Sequence, residues 1–87
     1  MTLEVKSLVN PFADAISFDL IAPTDQLTNF VLYDAFGRLI STQNQFIHQG
    51  INAVRLNGFG ALQSGCYMLQ IRYANTLLIK RMIKAGS

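Results

Sequence analysis

The sequence predicts an all-β protein, a seven-stranded antiparallel β-sandwich. Apolar residues recur at every second position, not with the spacing of a helix. Turn signals punctuate the chain at the intervals of a small sandwich. At 87 residues and 51% hydrophobic content, the chain has room for one domain with one core.

Each element follows from local pattern. Leu3 and Val5 alternate with Glu4 and Lys6, so the first strand is expected over residues 3–9, stopped by Asn10-Pro11. Ile16, Phe18 and Leu20 alternate with Ser17 and Asp19 in a second strand, 14–21, closed by Ala22-Pro23-Thr24-Asp25. Phe30 and Leu32 alternate with Val31 and Tyr33, and a strand apolar on both faces, 28–34, reads as central. Asp34-Ala35-Phe36-Gly37 then offers Asp at the first and Gly at the fourth position of a type I turn. A fourth strand, 38–46, precedes Gln49-Gly50, and a fifth, 51–57, alternates Asn52, Val54 and Leu56 with Ala53 and Arg55. Asn57-Gly58 and Ser64-Gly65 mark further turns. The sixth strand, 66–74, puts Tyr67, Leu69, Ile71 and Tyr73 on one side and Met68, Gln70 and Arg72 on the other. Ala74-Asn75 is a tight reversal into the seventh, 76–84. The expected core is Ile16, Phe18, Leu20, Phe30, Leu32, Val54, Leu56, Tyr67, Leu69 and Ile71.

The seventh strand does not alternate cleanly. Leu77, Ile79 and Ile83 share a face with Arg81, while Leu78 and Met82 share the other with Lys80 and Lys84. A position near a sheet edge, with long side chains reaching to solvent, accommodates that pattern.

The net charge of +2 conceals an asymmetry. Residues 1–34 hold all five acids and one base, whereas residues 35–87 hold six bases and no acid. Pairing of sequence-distant strands is expected to mix the two signs on the surface. Only Lys80, Arg81 and Lys84 cluster, and no glycine-aromatic stacking motif accompanies them, so nucleic acid is not an expected partner. The longest apolar runs, such as Phe30 to Tyr33, are far too short to span a bilayer as a helix, so no direct membrane insertion is expected. Glu4 and Lys6 interrupt the start, which carries no signal-peptide core.

Catalytic chemistry is hard to find. One cysteine excludes a disulfide scaffold, and one histidine, His48, is too few ligands for a metal. Cys66 activated by His48 would make a nucleophilic pair, but nothing demands it. Cys66 reads as a structural residue facing away from the core, and His48 as an exposed loop residue. Phe36 and Phe59 either bind a sugar or peptide or, as expected here, fold as lids over the ends of the core. No phosphate-binding loop is present, so no cofactor or metal is expected.

The order of motifs resembles the C-terminal sorting domain, type A, of the type IX (Por) secretion system of the Bacteroidota. The residues that carry the resemblance are Asn10-Pro11-Phe12 and Leu32-Tyr33-Asp34-Ala35-Phe36-Gly37-Arg38-Leu39-Ile40. They continue with Gly50-Ile51-Asn52, Leu62-Gln63-Ser64-Gly65-Cys66-Tyr67 and the basic close Lys80-Arg81-Met82-Ile83-Lys84. Val9 stands where the family often has Pro, and Ala85-Gly86-Ser87 run past its usual last basic residue. Residues 1–84 are therefore read as the sorting domain, with 85–87 as a terminal tail, natural or left by cloning. Family members close a longer exported precursor, and this chain reads as such a domain excised from its cargo.

The resemblance implies an immunoglobulin-like sandwich and a non-enzymatic address. Fused cargo would reach the periplasm by an ordinary signal peptide. It would then be passed by shuttle proteins to an outer-membrane translocon and delivered to the cell surface or secreted. A separate sortase would remove the domain. Asn10, Pro11, Asp34, Gly37, Arg38, Gly50, Gly65 and Tyr67 are expected to serve mainly the fold. Lys80, Arg81 and Lys84 are expected to be read by the translocon or a receptor, because their pattern is not one that folding alone selects. A structural or adhesive immunoglobulin-like module of a surface protein shares the fold and is the alternative.

Overall fold

Alternation of apolar and polar residues puts Ile16, Phe18 and Leu20 in the core while Ser17 and Asp19 stay nearer solvent. The same alternation builds a sandwich in the computed structural model, which describes residues 2–86. Its seven strands are β1 (Glu4–Lys6), β2 (Ala15–Ala22), β3 (Gln26–Asp34), β4 (Leu39–Ile47), β5 (Gly50–Asn57), β6 (Gly65–Tyr73) and β7 (Thr76–Lys84). They form a three-stranded sheet, β1-β2-β5, and a four-stranded sheet, β4-β3-β6-β7. Every pairing between these strands is antiparallel and no helix occurs among the described residues, consistent with an immunoglobulin-like sandwich.

All ten residues of the expected core are buried. Phe12, Ala22, Ile47, Phe59, Tyr73 and Met82 join them. Each large apolar side chain so buried contributes about 1.5–3 kcal/mol of transfer free energy. Val31 is also buried, on the outward side of β3, as expected of a strand flanked by β4 and β6. Phe12 packs edge-on against Phe59 and Tyr67, with ring centroids 6.0 Å away in both cases.

Three expectations are corrected. The first strand is short: it ends at Lys6, because Ser7 takes a left-handed backbone (φ 57°), and only the Val9 amide resumes contact with β2, at Ser17 O. Phe59 is a lid over the core, but Phe36 is 87% exposed at the tip of the β3–β4 turn. The charge signs mix only on the three-stranded sheet, where Glu4, Lys6, Asp19 and Arg55 share neighbouring strands. Against the single acid Asp34, the strands of the other sheet carry Arg72, Lys80, Arg81 and Lys84.

Candidate functional site

The basic strand β7 lies at one edge of the four-stranded sheet and pairs along its whole length with β6, from Gly65 opposite Lys84 to Tyr73 opposite Thr76. The two-residue connection Ala74-Asn75 holds the strands in register, with Ala74 left-handed (φ 49°). Leu78, Lys80, Met82 and Lys84 turn inward, and Leu77, Ile79, Arg81 and Ile83 turn outward. Met82 is fully buried and Leu78 packs against the core, so this face, not that of Leu77, is the anchoring one.

The three cations therefore do not form one patch. Arg81 is exposed on the outer face and Lys80 is half-buried on the inner. Lys84, expected to be offered with them, is only 6% exposed. It sits opposite Gly65 in the ladder, and its Nζ donates to Ala85 O at 3.3 Å. The apolar stem of a lysine tolerates such burial when its ammonium keeps an acceptor. The ion pairs among the described residues are Lys6–Glu4 and Arg38–Asp34, so neither Lys80 nor Arg81 has a carboxylate partner there.

Residues 10–12 are clasped to this strand. Asn10 Nδ2 donates to Arg81 O at 3.2 Å, and Ile83 N donates to Asn10 Oδ1 at 2.9 Å. Phe12 N donates to Ile83 O at 2.8 Å, and Ala85 N donates to Phe12 O at 2.7 Å. The Asn10 amide thus imitates a strand residue, and Phe12 continues the pairing as a parallel bridge to Lys84. A cis peptide bond joins Asn10 to Pro11, whose lack of an amide proton suits a position between two pairing residues. Ala85, placed in the tail by sequence, is part of this clasp.

The other motif residues hold turns. Asp34 Oδ1 accepts from the amides of Phe36 (2.9 Å) and Arg38 (3.0 Å), and its Oδ2 accepts from Arg38 Nε at 2.7 Å. The Gly37 amide closes the turn onto Asp34 O at 3.1 Å, with Gly37 at φ 83°, a conformation that a Cβ disfavours. The bonds donated by Arg38, its backbone amide first, hold the Asp34 carboxyl below its ordinary pKa. Asn52 ties the Gly50 turn by accepting from His48 N at 3.0 Å and donating to His48 O at 2.8 Å. Tyr67 buries its ring and donates its hydroxyl to Gln63 O at 2.7 Å, fixing the approach to Gly65 (φ 146°). Cys66 is free and exposed, facing outward with Met68. His48 is exposed against Phe46, and no cluster of metal-binding groups occurs among the described residues.

On the outer face, Tyr33, Asp34, Cys66, Met68, Gln70 and Arg81 help line an open cleft of about 530 Å³. Met68 lies opposite both Tyr33 and Arg81 in the ladder.

The family described as the secretion system C-terminal sorting domain matches residues 10–85. The match runs from the clasp at Asn10 through the whole of β7. The chain belongs to the type IX secretion C-terminal sorting domains. A comparison with curated proteins finds no match. In this sorting domain Asn10 is engaged in the clasp and Asp34 and Tyr67 in turns, whereas Lys80 and Arg81 have no ionic partner among the described residues.

Proposed function

We propose that the domain acts as a non-catalytic export address whose β7 strand, through Lys80 and Arg81, is read by the type IX machinery. Cargo fused ahead of it crosses from the periplasm through the outer-membrane translocon to the cell surface or medium. A separate sortase then removes the domain, so the nucleophile of that step belongs to the sortase and Cys66 has no chemical part in it. The family match through β7 carries this reading. Two cations on an edge strand, with no ion-pair partner among the described residues, supply the physical support, since such charges steer encounter with an acidic receptor face. Lys84 is reassigned from recognition to the fold, because its burial withholds it from a partner.

The test is a reporter placed between a signal peptide and residues 1–87 in a host with this secretion system. Delivery of the reporter to the surface or medium, with periplasmic retention when the domain is deleted, is the expected result. Retention of both forms would favour an adhesive or structural module.

A further inference from the structure

The edges of the two sheets are not treated alike. At one flank, Gln43 Nε2 donates to Asn57 O and Gln45 Nε2 to Arg55 O, so inward glutamines of β4 bridge to the backbone of β5. At the other, β1 is only three residues long. The C-terminal half of β7 is covered by Asn10 and Phe12. The N-terminal half of β7 receives none of these covers.

Strand geometry identifies which groups are left. Arg81 O, Ile83 N and Ile83 O point away from β6, because they bond to the clasp. Backbone direction alternates along a strand, so the amides and carbonyls of Leu77 and Ile79, and the amide of Arg81, point off the same edge. The run from Leu77 to Arg81 is about the length of an ordinary short strand. Natural edges are blunted by a bulge, a proline or outward charges. The β6–β7 register has no shift, β7 contains no proline, and the outward side chains of Leu77 and Ile79 are 53% and 50% exposed, so the charges of Lys80 and Arg81 are this half-edge's guard, one that repels a basic strand and admits an acidic one.

We propose that this open half-edge accepts an added β-strand from a protein partner that carries two neighbouring carboxylates. Lys80 points to the inner side of the strand and Arg81 to the outer. Successive residues of an added strand also point to opposite sides, so adjacent Glu or Asp residues reach both cations at once. The main-chain bonds supply affinity, and the paired acids set the register and exclude basic strands. The proposal rests on the reading of β7 as the recognised element and specifies how it is read. Asn10 and Phe12 then have a second consequence: by covering Arg81 O and residues 83–85 they confine the partner to the N-terminal half of β7.

The experiment uses the isotope-labelled 87-residue chain and a capped synthetic peptide, Thr-Val-Thr-Glu-Glu-Val-Thr-Val, followed by amide hydrogen exchange. At millimolar peptide the amides of Leu77, Ile79 and Arg81 should gain protection of about tenfold or more, while that of Ile83, already bonded to Asn10, is unchanged. A peptide with Lys-Lys in place of Glu-Glu should give no protection. Ile79→Pro, which removes one outward amide at an edge position that tolerates proline, should abolish the effect. If that variant fails to fold, the charge-swapped peptide alone decides. Absence of protection at these three amides, or equal response to both peptides, would overturn the proposal. So would protection that rises with protein concentration without peptide, which would make a second copy the occupant. Reporter export is read independently: a chain that binds the acidic peptide but exports nothing contradicts the sorting reading and leaves the edge assignment standing.

Discussion

Asn10 serves as a backbone surrogate for Ile83, accepting its amide at 2.9 Å although the two lie 73 positions apart. The pair joins the connection between β1 and β2 to the last strand, so β7 is held partly by a segment from the other sheet's side of the sandwich. Asn10→Ala should lower stability by about 0.5–1.5 kcal/mol, since water replaces the lost partner at this exposed site. Urea titration checks the loss, and faster exchange of the Ile83 amide would place it. A change spread evenly over all strands would speak against the clasp.

Ala74 adopts a left-handed backbone that costs an L-residue with a Cβ about 1–2 kcal/mol. Glycine takes this conformation freely but loses more entropy on folding. Ala74→Gly should therefore stabilise the β6–β7 hairpin, by about 0.5–1 kcal/mol net. Thermal denaturation of the variant should show a raised midpoint, and a lowered one would contradict the turn geometry.

Stability should fall in acid through Asp34. Its folded pKa is depressed, chiefly by the Arg38 amide. The contribution is thus present above the unfolded value of 3.8 and lost as pH drops through the lower folded value. Asp34→Asn should flatten the acid limb of a plot of thermal midpoint against pH, and an unchanged limb would show that other carboxylates govern it.

Cys66 is exposed, unpaired and outward-facing. Cys66→Ser should leave the thermal midpoint and reporter export nearly unchanged. A folded variant that no longer exports would give the thiol a role that its surroundings do not suggest.

Much of this was legible in the chain. Strand β2 reads directly, because Ile16, Phe18 and Leu20 are apolar and the residues between them are less so. The turn at Asp34 reads directly too, because its bonds are local. Strand β7 was ambiguous, since each face carries both apolar residues and cations; tertiary packing selects Leu78 and Met82 over Leu77 and Ile79. The clasp was not legible as a contact: Asn10-Pro11 reads only as a stop, and nothing local says that Asn10 will meet Arg81 and Ile83. Burial of Lys84 was not legible either, since it follows from the register of β7 and the fold around its end and not from any local pattern. Phe36 shows the converse, an aromatic residue left at a turn tip with Arg38 stacked 5.9 Å above its ring.

The most direct measurement is reporter export by Lys80→Gln/Arg81→Gln, with Lys84→Gln alone as the comparison. The double variant keeps the strand and its core contacts, so its circular dichroism and thermal midpoint should stay close to those of the original chain. The reporter should nevertheless accumulate in the periplasm, while folded Lys84→Gln still exports. Normal surface delivery of the folded double variant would contradict the assignment of Lys80 and Arg81 and place recognition on another face of the domain.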